Sequence, residues 1–232
     1  MSLFVALPQK TVRKRAWATP LLLLLIVGIH AMGQSMGDAA HLKLQLQWGL
    51  LSGHFDSWLD WKTALSDGRL LRIYTATFLH TSWSHVAGNV LFLLIFGPPA
   101  ERVLGSFRFL LLFIIAGALS NLATIAAYPG TTHYVVGASG AISAVMGAYI
   151  TLIPRAQLGI FLPLGFFLQV IKVPALALIG LWFAMQVVFV FLGTANGAVT
   201  WIGHITGFVF GVLFAMASKR AIAKGLRKEM GY

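Results

Sequence analysis

Six apolar runs, each long enough or nearly long enough to cross a bilayer, divide the chain: about 17–33, 84–104, 106–127, 138–153, 174–193 and 200–218. A spanning helix needs about 20 mostly apolar residues, because no water in the hydrocarbon can satisfy an exposed backbone. Only 10% of the 232 residues are charged and 58% are hydrophobic, where a soluble domain carries roughly 25% charged residues. The chain therefore reads as an all-α polytopic membrane protein, 1–232 forming a single membrane-embedded domain. The N-terminal stretch "RKRAWATPLLLLLIVGIHAMG" suits a retained first span with an interfacial Trp17 better than a cleaved signal. A further apolar stretch, 158–174, is broken by Pro163 and Pro174 and reads as an interfacial loop or part of the fifth span.

Charge sets the expected orientation. Thirteen of the 17 Lys and Arg residues fall at the N-terminus, between spans two and three, between spans four and five, or at the C-terminus. The other four, Lys43, Lys62, Arg69 and Arg72, share one long first loop, 34–83. The positive-inside rule then puts both termini in the cytoplasm, with tails at 1–15 and 219–232. The first loop, with Trp48, Trp58, Trp61 and Trp83, is expected in the outer interface. The net charge of +11 is a topology signal and not a nucleic-acid footprint, and membrane lipids are the expected surroundings. With no cysteine in the chain, thiol nucleophiles, thiolate metal sites and disulfides are excluded.

Polar groups inside spans are costly, so each is a functional candidate. With this topology the second, fourth and sixth spans run in the same direction. His85 and Asn89 lie in the first turns of the second, Ser139 opens the fourth, and His204 lies about one turn into the sixth. Three helices thus bring reactive groups to one depth. Small residues recur every four positions on two of them, as Ser139, Ser143, Gly147 and as Gly203, Gly207, Gly211, which allows close helix approach. A serine within hydrogen-bond reach of an imidazole can act as a nucleophile. His85 and Asn89, at i and i+4 on one face, can each donate to a developing oxyanion. So can the unpaired N–H groups at the start of the fourth helix, where Gly137 and Gly140 leave the backbone open. No Asp or Glu lies near the sixth span, so a Ser–His dyad without a third member is implied. The H-E-x-x-H and G-x-S-x-G patterns are missing, and no metal or cofactor is expected.

In this order and at these spans, the motifs resemble the rhomboid family of intramembrane serine proteases, over about 69–215. "FLHTSWSHVAGNVLFLLIFGPPAERVLG" carries His80, His85 and Asn89, then Gly97, Glu101 and Gly105. "GASG" at 137–140 is similar to the family's nucleophile motif, and "GHITGFVFG" supplies His204, Gly207 and Gly211. The resemblance implies a six-span bundle, Ser139 as nucleophile, His204 as general base, and an oxyanion hole from His85, Asn89 and the Ser139 N–H. It implies transmembrane substrates cut near the outer face, with small residues at the cut and helix-destabilising residues beyond, and no metal or ATP. Arg72 matches an arginine that supports the first loop. Three departures stand out: Leu71 before Arg72 where the family often has Trp, Ser143 where an aromatic often stacks on the catalytic imidazole, and Thr206-Gly207 for a Gly-Gly pair. Glu101 is expected to be structural, capping backbone or pairing with Arg102, and His80 to brace the first loop. His133 is assigned no catalytic role, and His30, His41 and His54 are expected at the interface. A compact chain of this kind is expected in a bacterial inner membrane. Two rivals remain: a non-catalytic relative that binds and escorts membrane proteins, and a small His-lined transporter. The oligomeric state is left open.

Overall fold

The computed structural model describes residues 16–128, 134–164, 167–192 and 199–229. The chain is mainly helical. Helix α1 (Ala18–Ser35) leads into a first loop that contains α2 (Asp38–Trp48), strand β1 (Leu50–Leu51), α3 (Trp58–Ser66) and the single turn α4 (Arg72–Thr75). The long helices α5 (Trp83–Leu104) and α6 (Ser106–Ala127) follow, then β2 (Tyr134–Val135) and α7 (Ser139–Leu152). A hairpin of β3 (Gln157–Leu164) and β4 (Phe167–Pro174) precedes α8 (Ala175–Leu192) and α9 (Val199–Glu229).

Among the described residues, four helices are long and apolar enough to cross a membrane: α1, α5, α6 and, within α9, Trp201–Gly225. Helices α7 and α8 are apolar but shorter. Every residue of α7 from Gly140 to Tyr149 is buried. A helix that is apolar all round belongs in the middle of a bundle, and α7 packs against α5, α6 and α9.

Local chemistry sets several helix ends. Gly105 closes α5 and opens α6 at φ +82°, a left-handed conformation that a side chain resists. The Ser82 hydroxyl accepts the His85 N–H at 3.2 Å and caps α5. Glu101, buried near the other end of α5, caps a different helix. Its carboxylate accepts the N–H groups of Ala18 at 2.7 Å and Thr19 at 2.8 Å, and the Ser106 hydroxyl as well. Two of the four donors that any helix start leaves unpaired are thus satisfied from another span.

The structure departs from the sequence reading in two places. The stretch 158–174 is neither a loop nor part of a span. It pairs antiparallel from Gln157↔Pro174 to Leu164↔Phe167. The run is rich in β-branched and aromatic residues, and prolines at 163 and 174 rule out a long helix, so cross-strand pairing satisfies the backbone instead. Secondly, the expected C-terminal tail is helical as far as Glu229. Ala, Leu, Lys and Arg favour the helix, and Ile222 and Ala223 are buried. The first loop, expected in the outer interface, is itself folded. Its β1 pairs with β2 as Leu50↔Val135 and Leu51↔Tyr134, and Asn121 of α6 donates to the Ile73 carbonyl at 2.8 Å. The N-terminal segment 1–15 lies outside the described residues.

Candidate active site

Ser139 is the first residue of α7, and the loop before it is held from the first-loop side. The Gly137 N–H donates to the Ala76 carbonyl at 2.9 Å. Gly137 itself has φ +120°, and a Cβ there would stand 2.7 Å from His85 Nε2. The position needs glycine for both reasons.

The distance between α7 and α9 is set by backbone. A Cβ on Gly207 would collide with the Gly140 carbonyl oxygen, one on Gly211 with that of Ala144, and one on Gly147 with that of Phe208. A Cβ on Gly140 would meet Ser120 of α6. At this separation the Ser139 Oγ lies 2.8 Å from His204 Nε2. The other ring nitrogen, Nδ1, lies 2.8 Å from Oε1 of Gln186 on α8. Trp182 lies tilted near the same imidazole at a centroid distance of 6.0 Å, and Trp201 meets it edge-on at 5.8 Å. The Ser143 hydroxyl turns back to the Ser139 carbonyl at 2.7 Å, so the aromatic neighbours of His204 come from α8 and α9.

A cavity of about 300 Å³ opens beside these groups, lined by His85, Asn89, Ser139, Ser143, Met146, Trp182 and His204 among others. Two nitrogen-bearing side chains from α5 therefore share a space with the hydroxyl and the imidazole. Asn89 is fixed from behind, its Nδ2 donating to His80 Nε2 at 2.9 Å, which leaves the second amide hydrogen for another acceptor. His80, in the turn before α5, is buried, and its carbonyl accepts from Gln45 at 2.8 Å and from His30 Nδ1 at 3.1 Å. Burial, aided by the neighbouring His85, lowers the His80 pKa to about 3, so its ring accepts from Asn89 as the neutral form.

Other sequence-selected residues lie elsewhere. Arg72 reaches the Leu46 carbonyl at 3.5 Å and links α4 to α2. Glu101 sits at the α1 cap, roughly 24 Å along α5 from His85 at 1.5 Å per residue. His30 and His41 are buried in the fold. They are 1% and 5% exposed; Gln34 and Gln45 meet the two ring nitrogens of His41, and the His80 carbonyl accepts from Nδ1 of His30. The His54 side chain and His133 lie outside the described residues.

The sequence reading missed Gln186. It looked for a third member among Asp and Glu near the sixth span, and the group came from the fifth as an amide. The signal was present: in "ALALIGLWFAMQVVFVFL" Gln186 is the one amide, and a lone polar group in a span is a functional candidate.

The rhomboid domain model matches residues 67–220, well over half of the chain. The chain belongs to the rhomboid family. Among curated relatives, this rhomboid is 33% identical to YdcA of Bacillus subtilis over 99 residues, 42% of the chain and 49% of that protein. It is 37% identical to the human mitochondrial presenilin-associated rhomboid-like protein over 92 residues, 38% of the chain and 24% of that protein. It is 27% identical to the rhomboid protease GlpG of Haemophilus influenzae over 155 residues, 66% of the chain and 72% of that protein. The chain thus spans about half of YdcA and a quarter of the human relative.

Proposed function

We propose that this rhomboid is an intramembrane serine endopeptidase that cuts transmembrane segments of membrane proteins near the outer face of the bilayer. The observation that carries the reading is the 2.8 Å approach of Ser139 Oγ to His204 Nε2 beside a cavity that also receives His85 and Asn89. Ser139 attacks the scissile carbonyl carbon while His204 takes the hydroxyl proton. The oxyanion is met by His85, the free Asn89 amide hydrogen and the backbone N–H at the start of α7, backed by that helix's dipole. His204 then returns the proton to the leaving amine. Water, activated by the same imidazole, releases the acyl group and restores Ser139. Gly137 leaves the backbone bare beside His85, Gly140 lets α7 close on α6, Gly207 and Gly211 set the helix separation, and His80, Arg72 and Glu101 support the frame.

The same reading takes α1, α5, α6, α7, α8 and α9 as six spans with both termini cytoplasmic, in a bacterial inner membrane, with membrane proteins and lipids as partners. A fluorescent fluorophosphonate tests it, applied to the full chain in mild detergent beside Ser139→Ala and His204→Ala. Labelling of the wild type that both substitutions abolish is the expected result. Folded wild-type protein that stays unlabelled overturns the reading in favour of a non-catalytic binder, and labelling that survives Ser139→Ala gives the nucleophile to another residue.

A further inference from the structure

A neutral imidazole carries one proton and has two nitrogens to hold it. For His204 to accept from Ser139, that proton must sit on Nδ1. On Nε2 it would point at the serine and block the transfer. Something must therefore favour Nδ1–H, and no carboxylate is at hand.

The amide of Gln186 meets that need. Its Oε1 lies 2.8 Å from His204 Nδ1, while Nε2 lies 2.8 Å from Ser139 Oγ. Gln186 is 4% exposed, and a buried amide is expensive unless it is bonded. Its position on α8 is reinforced by Trp182, one turn earlier on the same face and within 6.0 Å of the same ring. A carbonyl oxygen accepts and cannot donate, so the contact selects one tautomer. The contact also persists when Nε2 gains the serine proton, where a neutral acceptor still stabilises the imidazolium. Apart from Gln186, Ser139, Trp182 and Trp201, the ring faces His85 from α5 as its titratable neighbour.

We infer that Gln186 is a positioning residue for the reaction: it holds His204 in the Nδ1–H tautomer and in line with Ser139, in the place where a carboxylate stands in a Ser-His-Asp triad. The inference rests on the Ser139–His204 reading and adds to it the part played by α8.

The test uses the full chain in detergent and the same fluorophosphonate. Its labelling rate is followed between about pH 5 and pH 9, with a thermal midpoint measured on each variant. Gln186→Leu should label about tenfold more slowly, the loss of one neutral hydrogen bond in the transition state, with its midpoint within a few degrees of wild type. Gln186→Glu restores an acceptor and adds a negative charge beside Nδ1. It should regain most of the rate at high pH, with the acid limb of its profile moved to higher pH. A purely structural role would slow both variants alike and leave the limb where it is, and that result overturns the inference. So does wild-type labelling in a folded Gln186→Leu. If Gln186→Leu does not fold, the limb of Gln186→Glu decides alone. Labelling that no longer depends on Ser139 sinks the dyad reading, whereas unchanged Gln186 variants with Ser139 dependence intact sink this inference only.

Discussion

His204 has two neighbours of opposite character. On one side α7 meets α9 through bare backbone, glycine against carbonyl oxygen at Gly207, Gly211 and Gly147. On the other, α8 meets α9 through aromatic side chains, Phe183 stacked on Phe208 at 4.4 Å and Phe189 on Trp201 at 4.9 Å. Helix α8 leaves Leu181, Met185, Val188 and Phe191 exposed. A backbone contact has no rotamer through which to give, while stacked rings can slide and repack. The difference separates two tasks. The frame of α1, α5, α6, α7 and α9 carries Ser139 and His204 to their meeting point, and α8 lays Gln186 and Trp182 against the imidazole.

Substitutions in the frame should therefore appear as lost stability, and those in α8 as changed rates. The largest expected effect is Gly211→Val, which drives a branched side chain into the Ala144 carbonyl. It should destabilise by about 3 kcal/mol or more, lowering the thermal midpoint in detergent by roughly 6–12 °C. A midpoint unchanged would mean that the two helices are not locked. Next comes Glu101→Ala, which leaves the Ala18 and Thr19 N–H groups without their acceptor, at roughly 1–3 kcal/mol for each buried donor. Because Glu101 is far from the cavity, fluorophosphonate labelling per folded molecule should hold.

An effect graded by pH comes from acid. The folded pKa of His80 is about 3 and an unfolded histidine titrates near 6.5. Between those values the unfolded chain binds the extra proton, so stability is fully present above about pH 6.5 and declines as pH falls towards 3. The thermal midpoint should drop across that window, and His80→Gln should flatten the slope. Smallest of all is Gly180→Ala on α8, where an added Cβ finds open space. It should stabilise the helix by up to about 1 kcal/mol, seen as a slightly raised midpoint. A large loss there would show that α8 is packed as tightly as α9.

The same divide decides what could be read from the sequence. The long helices were legible because lipid allows so few backbone solutions, and the ends expected for the second and third runs, 84–104 and 106–127, fall within a residue of α5 and α6. The meeting of Ser139, His204, His85 and Asn89 around one cavity was legible from the small-residue spacing and a shared depth. What hid were arrangements fixed by tertiary contact. The hairpin at 157–174 reads as apolar and ambiguous until its two halves pair. His30 and His41 look like surface residues because their partners, Gln34, Gln45 and the His80 carbonyl, come from separate turns of chain. Gln186 was hidden by its charge state: a search for carboxylates passes over an amide doing a related task.

Glu101 bears on the order in which the molecule can be made. Helix α1 leaves the ribosome before α5, and the carboxylate that completes its opening turn follows 83 residues later. At about 5–20 residues per second, that first turn waits roughly 4 to 17 seconds for its acceptor. Until then its end must stay where water can serve it. Helix α1 thus cannot be finished alone; its start is sealed only when α5 docks beside it.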